Sequence, residues 1–212
     1  MAIVYALLGM TTPAAAQDPR YETEVLSFEA LDRTNPPPKG QIVFVGSSTI
    51  VSWDPARYFP DQKIINRGLW GSALVDSVRL VDRIVLPYEP RLVVVYAGDN
   101  DIDAGLTSEE VTVQFERFVR TIHARLPQTR VVFVGIKPSP QRWLVIDRVR
   151  ATNAMIRDVC GRDDRVAFLD VDGPMLGWDE KPRKELYLDD GLHLSPKGYE
   201  LWTTLLRPLL AP

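Results

Sequence analysis

The segment QIVFVGSSTIVSW, residues 41–53, decides how the rest of the chain is read. Ile42-Val43-Phe44-Val45 is an unbroken apolar run, the pattern of a strand buried on both faces. Gly46-Ser47-Ser48 ends the run and Thr49-Ile50 resumes an apolar pattern, so the segment reads as strand, tight turn and helix. In a wound α/β sheet such a junction lies where ligands bind, outside the carboxyl end of a strand. A serine there is a candidate nucleophile. It needs a base, an orienting acid and oxyanion donors from elsewhere in the chain.

Strands and helices alternate outward from this segment. Residues 63–66, 92–97, 131–135 and 165–170 are further short apolar strands. Between them, residues 72–85, 109–126 and 142–159 carry apolar side chains at helical spacing, with Ser108 as the expected N-cap of the second of these helices. Ser195-Pro196 reads as the N-cap and first turn of a last helix that buries Tyr199, Leu201, Trp202, Leu205 and Leu206. Continuous apolar strands alternating with amphipathic helices predict a parallel sheet covered on both faces. The expected fold is a three-layer α/β/α sandwich around a flavodoxin-like five-stranded parallel sheet of order 2-1-3-4-5. Ahead of this domain, 41–212, residues 17–40 hold a proline-rich lead-in and a helix over 21–32. That helix is expected to bury Val25, Phe28 and Leu31 and to pair Glu29 with Arg33. Residues 171–194 form a connection longer than structure alone requires, which points to function.

Composition narrows the chemistry. The chain of 212 residues carries a formal charge of -3, so neither nucleic acid nor an anionic membrane is an expected partner. One cysteine, Cys160, and two histidines, His123 and His193, exclude an internal disulfide, a thiolate metal cluster and a multi-His metal site. No metal or other cofactor is expected. Cys160 is read as a buried helix-end residue and His123 as a surface residue on the polar side of its helix. The apolar residues 2–8 followed by Ala14-Ala15-Ala16 resemble a signal peptide spanning residues 1–16, although a basic n-region is missing. The expectation is a periplasmic or secreted protein, with a cytoplasmic one as the alternative. The run is too short to span a bilayer, so no stable membrane insertion is expected.

All segments that follow the strands project from one sheet edge. They are Gly46-Ser47-Ser48, Asn66-Arg67-Gly68-Leu69-Trp70-Gly71, Gly98-Asp99-Asn100-Asp101, the stretch from Gly135 to Pro140, and Asp189-Asp190-Gly191-Leu192-His193. In this order they resemble the blocks of the SGNH, or GDSL-like, esterase and lipase superfamily. Gly98-Asp99-Asn100-Asp101 and Asp190-Gly191-Leu192-His193 carry the resemblance together. It implies a Ser48 nucleophile, a His193 base oriented by Asp190, and an oxyanion hole from Ser48, Gly71 and Asn100. The acidic residue that ordinarily precedes the nucleophile is Ser47 here, so two serines compete for the role.

The residue chemistry suits these roles. Serine needs a neighbouring base to become nucleophilic, histidine supplies one near neutral pH, and an acid fixes its tautomer. Singly, each residue has an ordinary reading. Ser48 is a helix cap, Asp189 and Asp190 are turn formers, His193 is a loop histidine, Asn100 holds an Asx turn and Gly71 punctuates a turn. Asp101 and Asp103 are expected to shape their loop. Trp70, Trp143 and Arg142 are the expected substrate contacts, with Met175, Leu176, Trp178 and Arg67 as further candidates. The expected activity is hydrolysis of short-chain acyl esters, of a small molecule or a carbohydrate. The alternatives are a carbohydrate O-acyltransferase using the same site and a non-catalytic flavodoxin-like binding module.

Overall fold

The computed structural model describes residues 20–211. The expected signal peptide, residues 1–16, lies outside them. The described chain begins with α1 (Glu22–Thr34), and β1 (Ile42–Gly46) then leads into the short helices α2 (Ser48–Val51) and α3 (Pro55–Tyr58). The order continues β2 (Ile64–Gly68), α4 (Leu74–Ile84), β3 (Leu92–Tyr96), α5 (Asp99–Asp103), α6 (Ser108–Arg125), β4 (Arg130–Val134), α7 (Ile146–Cys160), β5 (Val166–Leu169) and α8 (Pro196–Leu206). The five strands are parallel in the order β2-β1-β3-β4-β5, as the alternation predicts. Gly46 is level with both Gly68 and Tyr96, so β1, β2 and β3 end at the same height and their following loops meet.

Side chains along each strand alternate between two buried faces. Val43, Val45, Val93, Val95 and Phe133 pack against α4, α6 and α7, together with Val25 of α1. Ile42, Phe44, Val94, Val132 and Val134 pack on the other side against α2, α3 and α8. There the rings of Trp53 and Trp202 are 5.6 Å apart and both are fully buried. Each ring also satisfies its polar atom: Trp53 Nε1 donates to Thr203 Oγ1 and Trp202 Nε1 to Met175 Sδ, both at 3.1 Å. Truncating either would cost about 3–5 kcal/mol. These contacts also tie α8, which follows the Asp190–His193 turn, to the helix region after Ser48.

Several expectations change. Thr107, not Ser108, caps α6: its Oγ1 accepts the Glu110 N–H, and the Glu110 carboxylate accepts the Thr107 N–H. The apolar spacing over 142–159 spans two elements, a 3₁₀ segment at Pro140–Val145 and then α7. Leu31 is exposed, and Glu29 pairs with Arg83 at 2.7 Å rather than with Arg33. The second α1 anchor is Arg67, bound to Asp32 at 2.6 Å. His123 is not a surface residue: its ring is mostly buried, with Nε2 3.0 Å from the Thr129 carbonyl, which closes the turn into β4. Cys160 is buried at the end of α7, and burial pushes its thiol up to about 12.

Candidate active site

The turn after β1 is built around Gly46, whose φ is 138°. A Cβ there would lie 1.9 Å from the Tyr96 carbonyl oxygen, so only glycine allows β1 to end this close to β3. Ser47 follows in an extended conformation, buried, with its N–H donating to Tyr96 O at 3.0 Å. Ser48 is the first residue of α2, and its N–H therefore has no intrahelical acceptor. Asn66 clamps the other end of that short helix, donating to the carbonyls of Ile50 at 2.7 Å and Trp53 at 3.2 Å.

Of the two serines, Ser48 meets the histidine: its Oγ is 3.0 Å from His193 Nε2. His193 Nδ1 is 2.6 Å from Asp190 Oδ2. The intervening turn is a small, self-bonded unit. Asp190 Oδ1 accepts the N–H groups of Leu192 and His193, both at 2.9 Å, and Gly191 takes a left-handed φ of 64°. Burial works against the Asp190 carboxylate, but the hydrogen bonds from the His193 ring and from the two backbone N–H groups outweigh it and hold its pKa at about 2. An ionised Asp190 can only accept, so Nδ1 carries the proton and Nε2 is left free to accept from Ser48. The side chains of His193 and Asp190 are 30% and 46% exposed, which leaves the site open.

Gly71, with φ 69°, lies in the loop after β2, and Asn100 lies in α5, directly after β3. Both oxygens of Asp101 accept the Leu74 N–H, at 3.0 and 3.1 Å, tying the Asn100 loop to the start of α4 just beyond Gly71. Burial raises the Asp101 pKa to about 6. Asn100 Nδ2 donates to Ser72 O at 3.0 Å, and its Oδ1 accepts from Arg142 Nη2 at 2.9 Å.

Beneath these loops lies a buried charged group absent from the sequence reading. Asp99 Oδ2 accepts from Lys137 Nζ at 3.0 Å and from the Tyr96 hydroxyl at 3.1 Å, and Arg142 Nη1 is 3.1 Å away. Burial disfavours the Asp99 carboxylate, yet Lys137 and Arg142 hold its pKa below the usual value; burial lowers that of Lys137 against the pull of Asp99. Both residues stand in segments after strands, so their position was legible. That their charges pair, rather than facing water, was not.

The expected substrate contacts separate. Trp70 is 56% exposed and its ring centroid lies 6.2 Å from that of His193. It also borders an open cavity of about 620 Å³ lined by Thr23, Ser27, Phe28, Val51 and Asn66. Arg142 instead turns inward onto Asn100 and Asp99, with its side chain only 10% exposed. Trp143 lies between cations, 4.7 Å from Lys181 Nζ and 5.8 Å from the Arg150 guanidinium, and staples the long connection to α7. Arg67 is buried on Asp32 and Tyr88, Met175 belongs to the core, and Trp178 projects into solvent. Among the described residues no helix is long and apolar enough to cross a membrane.

Residues 49–201 match the GDSL-like Lipase/Acylhydrolase family model, beginning one residue after Ser48. The chain is 29% identical over 177 residues to the human platelet-activating factor acetylhydrolase IB subunit alpha1, covering 80% of this chain and 75% of that protein. Its fold resembles that of a GDSL-like lipase from Bacteroides thetaiotaomicron, with a TM-score of 0.76 at 20% identity over 88% of this chain and 96% of that one. It also resembles a carbohydrate esterase family 3 protein from Talaromyces cellulolyticus, with a TM-score of 0.66 at 16% identity over 81% and 96% of the two chains.

Proposed function

From the premise that the chain belongs to the GDSL-like lipase/acylhydrolase family and is an ester-hydrolysing enzyme, we propose that it cleaves short-chain acyl esters through an acyl-enzyme on Ser48. In this reading His193 Nε2 takes the Ser48 proton as Oγ attacks the ester carbonyl. Asp190 keeps the imidazole in the competent tautomer and stabilises its protonated form. The Ser48 N–H, the Gly71 N–H and Asn100 Nδ2 face the oxyanion of the tetrahedral intermediate. His193 then protonates the departing alcohol, and a water molecule repeats the sequence to release the acid. The observation that carries the proposal is the continuous relay of 3.0 Å from Ser48 to His193 and 2.6 Å from His193 to Asp190.

An open site with one exposed aromatic wall, Trp70, suits a small acyl group better than a long chain that needs enclosure. The acetyl group in the name of the mammalian relative supports the same choice. Labelling with a fluorophosphonate followed by peptide mapping, together with hydrolysis of p-nitrophenyl acetate, tests the assignment. The label is expected on Ser48, and Ser48→Ala is expected to lose roughly 10³-fold or more in kcat while Ser47→Ala keeps turning over. A label on Ser47, or undiminished turnover by Ser48→Ala, would overturn it.

A further inference from the structure

Arg142 was expected to reach substrate, but Nη2 of its guanidinium donates to the Asn100 amide. Arginine has only donors, so the Asn100 atom facing Nη2 at 2.9 Å must be the oxygen. The nitrogen is then turned the other way. An amide nitrogen carries two hydrogens, and Ser72 O takes one of them at 3.0 Å. Without Arg142, only the Ser72 carbonyl holds the amide's orientation, and any flipped or swung Asn100 would present an acceptor to a developing negative charge. A cation on Oδ1 also polarises the amide and strengthens the remaining N–H as a donor.

Arg142 is held in turn. Its Nη1 lies 3.1 Å from Asp99 Oδ2, and Asp99 Oδ1 accepts the backbone N–H of Asn100 at 3.0 Å. Asp103, at 3.2 Å from Nη2, adds an outer contact. Side chain and backbone of Asn100 are thereby set by one ionic unit that does not include the Ser48–His193–Asp190 relay.

We propose that Arg142 is the positioning residue of the oxyanion site, fixing the Asn100 amide with Nδ2 toward the ester and acting on the rate only through Asn100. The proposal rests on the assignment of Asn100 to that site made above. A loop staple alone would affect folding and leave the rate of the folded enzyme unchanged.

The test is a double-mutant cycle on kcat for p-nitrophenyl acetate, with thermal melts of every variant. Asn100→Ala is expected to lose roughly 100- to 1,000-fold in kcat, as for other oxyanion donors. Arg142→Met is expected to lose roughly 10- to 100-fold in kcat, a fraction of that donor's worth, with KM little changed. The pair Arg142→Met/Asn100→Ala is expected to be no slower than Asn100→Ala, because the residue Arg142 positions is gone. Arg142→Lys, which can still donate one bond to Oδ1, is expected to recover part of the rate and gives a second reading if the methionine variant folds poorly. Multiplicative losses in the double variant, or wild-type kcat in folded Arg142→Met, would overturn the proposal. In both cases an inactive Ser48→Ala and a slow Asn100→Ala would leave the esterase reading standing. A fully active Asn100→Ala would overturn both the oxyanion assignment and this inference.

Discussion

Asp99→Asn is the most demanding perturbation of the site's foundation. The wild-type carboxylate is buried and receives Lys137 at 3.0 Å, Tyr96 at 3.1 Å and the Asn100 N–H at 3.0 Å, with Arg142 Nη1 at 3.1 Å. The asparagine keeps the shape but removes the buried negative charge that Lys137 and Arg142 share, leaving Arg142 only the half-exposed Asp103. Breaking a buried pair in this way costs about 3–5 kcal/mol, because Lys137 stays out of water without its carboxylate partner. For a domain of this size, at about 2–4 °C per kcal/mol, the melting temperature should fall by roughly 6–20 °C. Calorimetry on the wild type, Asp99→Asn, Lys137→Met and the double variant is the assay. The double variant should melt above Asp99→Asn, since removing Lys137 relieves one stranded charge, and the coupling should reach about 0.5–3 kcal/mol. If Asp99→Asn melts within about 2 °C of the wild type, or if the two losses simply add, the cluster is hydrated and the reasoning from burial is wrong.

Two further outcomes follow from the site's geometry. Gly46→Ala would bring a Cβ to 1.9 Å from Tyr96 O at a φ of 138°. The end of β1 must then shift, and both esterase activity and fluorophosphonate labelling should fall; a variant labelled as fast as the wild type would contradict the packing argument. Asp190 is lowered from 3.8 to about 2. A depressed acid contributes stability above its unfolded value, and that contribution is lost as pH falls from about 4 toward 2. Asp190→Asn should therefore flatten the loss of stability over that window, read as urea midpoints at pH 6 and pH 3. Equal drops in both proteins would show that the carboxylate is not linked to folding.

Much of this molecule was legible in one dimension. Ile42-Val43-Phe44-Val45 and Leu92 to Ala97 read as doubly buried strands because apolar residues without alternation have no water-facing side. Short parallel strands joined by helices admit few arrangements, so the sheet order followed as well. That rule also brought Ser48, Gly71, Asn100, Asp190 and His193 to one edge, because every loop after a parallel strand emerges there. Local patterns misled where spacing is ambiguous: Ser108 follows Thr107 and both can cap, while apolar residues in 142–159 run through a 3₁₀ segment before α7 begins.

Pairings between distant residues were a different matter. The sequence by itself determined which residues could carry the chemistry and at which edge they would gather. The choice of Ser48 over Ser47 as the serine that meets the histidine came only with folding. Gly46 directs Ser47 into the sheet, and the next residue starts α2 facing His193, 145 positions away. Arg142, at the start of the 142–159 helix pattern, was offered as a substrate contact because an arginine there ordinarily reaches the surface. Tertiary structure turned it inward, where its charge pairs with Asp99 and its Nη2 donates to Asn100 Oδ1. Charge and type are properties of a residue; pairing depends on what else occupies the same few ångströms, and only the fold supplies that.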